Sequence, residues 1–176
     1  MKKISSVLIV LLVMTGVSGC KQKKEEKSQI TYTPPMAPST LEIDRLQQAT
    51  KSAPKNKGAW IELGNALMDS QRFGEAIDAY QKALAMDPKN VPVIVDLGTC
   101  YRGVRQFDKA VEAYRKAIKL DPNFPNGHRN MGVVLAYDLH QNKEAVKAFQ
   151  KYLEVAPTAA DAGEIRQMIQ QLSSSK

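Results

Sequence analysis

The chain has 176 residues, 43% of them apolar, and a formal charge of +7. That length allows one ordinary domain plus appendages. Lys2 and Lys3 lie in a segment read below as a removable leader; without them 23 basic and 18 acidic residues leave +5. This suits solubility or a weak preference for anionic lipid, and falls short of the clustered basic surface that nucleic-acid binding needs.

Lys2 and Lys3 form a short positive start, and Val7 to Met14 form an apolar stretch. A membrane-spanning helix needs about 20 apolar residues, so this stretch reads as a signal core. The run Val17-Ser18-Gly19-Cys20 closes it. The segment resembles the bacterial lipobox, in which an aliphatic and two small residues precede a lipidated cysteine. The other reading is a secretory signal with an incidental cysteine, but Cys20 stands at the cleavage site itself. The resemblance implies that residues 1–19 are removed and that Cys20 becomes an acylated N-terminus. Two or more acyl chains hold a protein stably on a membrane where one does so only marginally. Lys21 stands where an aspartate favours inner-membrane retention, which implies the outer membrane, facing the periplasm, in a Gram-negative host. Cys100 is then left without a partner, so no disulfide is expected.

Residues 21–38, KQKKEEKSQITYTPPMAP, show no helical or strand period and carry Pro34, Pro35 and Pro38. Together with Cys20 they read as a disordered tether, reaching roughly 23 Å as a flexible coil or roughly 56 Å as polyproline II. Its lysines read as solvated, with anionic headgroups as the alternative contact.

From residue 39 the pattern becomes helical and periodic. Trp60, Leu63, Gly64, Ala76, Tyr80, Ala83 and Pro88 recur 34 residues later as Ile94, Leu97, Gly98, Ala110, Tyr114, Ala117 and Pro122. A third set begins with His128, Met131 and Gly132 and, after one inserted residue, continues with Ala145, Phe149, Tyr152 and Pro157. The insertion is expected in a turn around Tyr137 to Lys143. This pattern resembles the tetratricopeptide repeat, whose period is 34 and whose signature is W-x2-L-G, then A-x3-F, then P. The glycines mark close helix crossings, where packing must offset a helix cost of about 1 kcal/mol. The prolines end the second helices, because a residue before proline avoids the helical conformation.

Residues 39–56 read as a preceding half repeat through Leu46, Ala49 and Pro54, capped by Ser39 or Thr40. The three repeats occupy 57–90, 91–124 and 125–159. Residues 160–176 supply a capping helix, with Thr158 as its cap and Ala162, Ile165, Met168, Ile169 and Leu172 on its apolar side. The expected fold is therefore all-α: a right-handed superhelical solenoid of eight helices, its open end covered by the last one.

No catalytic or metal-binding constellation is present. There is no HExxH, no CxxC and no glycine-rich phosphate loop. His128 takes the position of Trp60 and reads as a packed interface residue; Cys100 reads as a small buried hydrophobe. No enzyme activity, cofactor or metal is expected. Lys82 and Lys116 follow Asp78 and Glu112 by four residues, a favourable helical pairing. Lys143, Lys147 and Lys151 lack such partners and read as solvated surface, with an acidic partner as the alternative.

The resemblance places the first helix of each repeat on a concave groove. Its residues here would be Ile61, Asn65, Met68, Val95, Thr99, Arg102, Arg129, Asn130 and Tyr137, with Glu62, Asp69, Asp96, Val133 and Ala136 beside them; Val133 reads partly as packing between repeats. Family members that clamp C-terminal carboxylates use lysine, asparagine and arginine there, and only Asn65 and Arg129 fit. An extended or helical peptide with apolar anchors is the expected ligand. The function expected is a lipid-anchored extracytoplasmic adaptor for another protein. The alternative is a structural protein that associates with itself through its repeats.

Overall fold

The computed structural model describes residues 38–174. The leader, Cys20 and residues 21–37 of the spacer lie outside the described residues.

Among the described residues eight α-helices follow one another: α1 (Thr40–Ser52), α2 (Lys57–Asp69), α3 (Phe73–Met86), α4 (Val91–Gly103), α5 (Phe107–Leu120), α6 (Pro125–Val133), α7 (Asn142–Val155) and α8 (Ala162–Ser174). A π-helical segment, Val134–Asp138, continues α6. Each helix packs mainly on its sequence neighbours. The result is the expected tetratricopeptide-repeat solenoid: a half repeat, three helix-turn-helix repeats and a capping helix.

The starts of the helices are chemically legible. Ser39 accepts the backbone N–H of Glu42 through its hydroxyl at 3.2 Å, and so is the cap of α1. Asn56 and Asn90 do the same for Ala59 and Val93 with their side-chain carbonyls, each at 3.2 Å. Thr158 does not cap the last helix. That helix begins further on, at Ala162, and Ile165 N–H donates to the backbone carbonyl of Asp161 at 3.0 Å.

The glycines sit where the repeat pattern puts them. A Cβ on Gly64 would meet the Tyr80 ring at 2.5 Å, one on Gly98 the Tyr114 ring at 2.6 Å, and one on Gly132 the Phe149 ring at 2.6 Å. Ala76, Ala110 and Ala145 are fully buried. Only residues without bulk let the two helices of a repeat approach this closely.

The inserted residue is taken up in Val134–Asp138, which begins ahead of the expected turn and overlaps it at Tyr137 and Asp138. Gln71 and Arg105 close the first helices of repeats one and two in the left-handed conformation, at φ 58° and 61°. Arg72 N–H donates to Leu67 O and Gln106 N–H to Tyr101 O, five residues back, which closes the helix end as a Schellman turn. In repeat three the left-handed residue is His140, at φ 56°, and Gln141 N–H reaches six residues back to Leu135 O. The extra residue is therefore absorbed in the widened segment Val134–Asp138, as π-bulges do.

His128 is buried and its ring repeats a bond that Trp60 makes. Trp60 Nε1–H donates to Pro54 O at 2.9 Å, and His128 Nε2 lies 2.8 Å from Pro122 O, also six residues back. A carbonyl only accepts, so Nε2 carries the proton. The imidazole works as a packed structural group.

Candidate functional site

The candidate groove residues of α2, α4 and α6 include both polar and apolar side chains. Asn65 accepts the hydroxyl of buried Tyr80 at 2.8 Å, and Met68 places its sulfur 3.9 Å from that hydroxyl. The Thr99 hydroxyl lies 3.3 Å from the Tyr114 hydroxyl and 3.5 Å from the Asn130 amide that donates to it. These bonds link α2 to α3, α4 to α5, and α4 to α6.

Most of the sequence-predicted groove residues reach the surface. Asn65 is exposed, and Ile61, Met68, Thr99, Arg102, Arg129 and Asn130 are half-buried. Tyr137 is 50% exposed, one of four large apolar side chains left in solvent among the described residues. Val95 and Ala136 are the corrections: they are buried, at 3% and 4% exposure, and belong to the core with Val134. For Val95 the reason is on α6: a Cβ on Gly127 would stand in ordinary contact with the Val95 side chain, at 4.0 Å, so α6 covers Val95 and keeps it from a ligand.

The two groove arginines are already engaged. Arg102 Nε donates to Asp138 at 2.5 Å and Arg129 Nε to Asp161 at 2.5 Å. Asp161 also accepts the hydroxyl of buried Tyr152. That hydroxyl, followed by the Arg129 guanidinium, holds the Asp161 carboxyl below the usual carboxylate range. Tyr152 thus departs from the small-residue pattern because its hydroxyl ties α7 to the residue before α8. Asp138 and Asp161 are partners that sequence reasoning missed.

Three carboxylates of the face, Glu62, Asp69 and Asp96, form no ion pair among the described residues. Asp69 and Asp96 have no hydrogen bond or ion pair with any described residue, and they act on each other electrostatically. Burial, and then the Asp69 charge, push the Asp96 carboxyl up to about 6. Burial likewise pushes the Cys100 thiol up to about 12, in keeping with a packed small hydrophobe and not a nucleophile.

Beside the face, Phe73, Thr99, Arg102, Gly103, Phe107 and Asp138 line a cavity of about 420 Å³. Gly103 lets the Phe73 ring pack on α4, since a Cβ there would meet that ring at 2.4 Å. On the outward sides of the second helices, Lys82 and Lys116 are exposed, and neither forms the expected ion pair with Asp78 or Glu112 among the described residues. Lys151 pairs with Glu154 at 2.7 Å. Lys143 and Lys147 form no ion pair among the described residues and line an open cleft of about 920 Å³ with Val146 and Leu172. Among the described residues no group of three or more His, Cys, Asp or Glu is placed to hold a metal ion. No described helix is long and apolar enough to cross a membrane.

The comparisons agree with this architecture. The tetratricopeptide repeat family matches residues 67–132. No curated protein matches the chain at a significant level. Solved structures do. A MamA crystal structure is 19% identical, with a TM-score of 0.64 over 74% of this chain and 82% of that one. The first TPR of Spaghetti (RPAP3), bound to the HSP90 peptide SRMEEVD, is 26% identical, with a TM-score of 0.61 over 68% of this chain and 95% of that one. The Arabidopsis OM64 TPR domain is 19% identical, with a TM-score of 0.61 over 65% of this chain and 94% of that one. The chain therefore carries a tetratricopeptide-repeat fold, an architecture that in general serves as a scaffold for protein–protein interaction.

Proposed function

We propose that this protein is a membrane-anchored extracytoplasmic adaptor that holds a protein or peptide on the α2–α4–α6 face. The observation that carries the reading is the composition of that face. Tyr137 stands half in solvent at one end, and Ile61 and Met68 at the other are only partly covered. Asn65, Thr99 and Asn130 lie beside them with hydrogen-bonding capacity. Apolar anchors flanked by polar groups suit a peptide groove. The peptide bound to the Spaghetti TPR supports the same use of the fold here.

The decisive experiment is a paired substitution. Arg129 is a poor probe, because its loss would also unsettle Asp161 and Tyr152. Met68→Ala with Tyr137→Ala is expected to weaken recovery of the partner about thirtyfold, the size of a lost anchor of about 2 kcal/mol. Lys82→Ala with Lys116→Ala is expected to leave it unchanged. Loss in the lysine variant alone would move recognition to the outer helices.

Anchoring rests on the lipobox-like run ending at Cys20. Cys20→Ala is expected to shift the protein from the membrane fraction to an unprocessed precursor or a soluble form. A variant that is processed and sediments with membranes like the wild type would refute the anchor.

A further inference from the structure

We infer that the two clefts flanking α7 form a second binding surface, which takes an acidic segment of a partner protein with apolar residues between its carboxylates. Its residues are not those of the proposed groove, so it stands whether or not the groove reading holds.

The site is built around α7. Towards α8, Lys143, Lys147, Val146 and Leu172 line the cleft of about 920 Å³. Towards α5, Arg115, Met131 and Ala148 line a second cleft of about 320 Å³. Glu144 and Lys147 line both, so the clefts adjoin across α7. Their floors are apolar and only partly covered, since Met131, Val146 and Leu172 are each half-buried. Their walls are cationic. Arg115, Lys143 and Lys147 are exposed and form no ion pair among the described residues, while Lys151 is taken by Glu154 at 2.7 Å. Glu144 is the one carboxylate among the described residues that line either cleft.

The positive charge is local to this part of the solenoid. Together α5 and α7 carry seven basic residues against four acidic ones, Asp108, Glu112, Glu144 and Glu154. The corresponding helices earlier in the chain lack that excess: α1 has two residues of each sign, and α3 has Glu75 and Asp78 against Lys82. An acidic segment is thus drawn to the later outer helices and not to the earlier ones. Lys143 and Lys147 also stand one turn apart, where like charges repel. A carboxylate seated between them relieves that repulsion, and Val146 and Leu172 offer area to an apolar side chain beside it. The same linings favour a protein segment over other polyanions. Among the described residues no phenylalanine, tyrosine or tryptophan lines either cleft, which leaves no platform for stacked bases. A bilayer surface is flat and would leave the apolar floors unfilled. Glu144 sets one place where the ligand must carry no negative charge, a condition that a mixed peptide meets and a regular run of phosphates does not.

The test uses the full chain and two short capped peptides, one alternating glutamate with leucine and one alternating glutamine with leucine. The glutamate peptide is expected to bind about tenfold more tightly. Lys143→Gln with Lys147→Gln is expected to remove that preference, and Lys143→Arg with Lys147→Arg to keep it. Lys55→Gln with Lys82→Gln deletes two cations outside the clefts and is expected to leave it intact. Equal weakening by both glutamine variants would mean attraction to the overall charge and would overturn the inference. So would a glutamine peptide that binds as tightly as the glutamate one. Gln150 is exposed and lines the larger cleft, so Gln150→Trp obstructs it from the surface. That variant is expected to weaken the glutamate peptide about threefold or more. Unchanged or tighter binding would show that the peptide lies outside the cleft and would refute the site. Met68→Ala with Tyr137→Ala is expected to leave this peptide unaffected. Loss there, with the lysine pair insensitive, would seat the peptide in the groove, supporting that reading and ending this one. Binding to phosphatidylglycerol vesicles and self-association of the chain are measured on the same variants. If Lys143→Gln with Lys147→Gln abolishes either one while wild type shows no preference for the glutamate peptide, the occupant is a lipid surface or a second copy, and the partner assignment is overturned.

Discussion

Gly98→Ala is expected to destabilise the solenoid by about 2 kcal/mol, although alanine is the better helix former by about 1 kcal/mol. The added Cβ would lie 2.6 Å from Cε1 and 2.9 Å from Cδ1 of Tyr114. That ring cannot swing away, since Tyr114 is 1% exposed and its hydroxyl lies against Thr99. The two helices of the repeat must therefore separate, and their separation is passed to the neighbouring layers. Gly74→Ala is the control of opposite sign. Gly74 is also helical, in α3, but nothing lies within 4 Å of its added Cβ. That variant is expected to gain about 0.5–1 kcal/mol from the helix preference alone. Urea unfolding of both measures the contrast. Two variants that shift stability in the same direction would show that the crossing is not what requires Gly98.

Removing the chain after residue 159 is expected to cost several kcal/mol and to unfold repeat three before repeat one. Ile165 is 1% exposed and joins the core of Tyr114, Leu135 and Phe149, with Met168, Ile169 and Leu172 packed at its edge. One fully buried isoleucine accounts for about 1.5–3 kcal/mol, and the half-buried side chains add to it. The truncation also takes Asp161, which leaves the buried Tyr152 hydroxyl and the Arg129 guanidinium without their acceptor. In a solenoid each layer leans only on its neighbours, so the damage should be graded along the chain. Amide exchange measures this: protection should fall first in α6 and α7 and last in α2 and α3. Uniform loss along the domain would contradict it.

The repeat register could be read before any helix was seen, because Gly64, Tyr80 and Pro88 and their shifted copies each answer a local requirement of packing or chain termination. The groove was legible only in part. Val95 shares its repeat position with Ile61, and position alone marks both as outward. What separates them is the helix that follows, since α6 covers Val95. Asp138 and Asp161 stand 36 and 32 residues from the arginines they hold, which matches no repeat spacing. Asp138 falls in the widened segment and Asp161 in the turn before the capping helix, and a period says least about such places. The missing pairs at Asp78–Lys82 and Glu112–Lys116 show a different limit, because correct helical spacing permits an ion pair without requiring one.

The widened turn at Val134–Asp138 separates two ways of measuring this molecule. Counted in residues, the distance from Ala110 to Ala145 is one longer than that from Ala76 to Ala110; counted in layers, it is the same, and all three alanines are fully buried. An extra residue inside a regular helix would turn everything after it by about 100°, one residue's share of a turn, and would swing the buried face of α7 away from its partners. Placed at the joint, it goes into one broad coil, and His140 resumes the chain direction set earlier by Gln71 and Arg105. The joint between the two helices of a repeat is thus where the solenoid accepts a change of length without loss of phase. Its outer rim, where Tyr137 stands in solvent, can be lengthened or reshaped while the layers on either side keep their stacking.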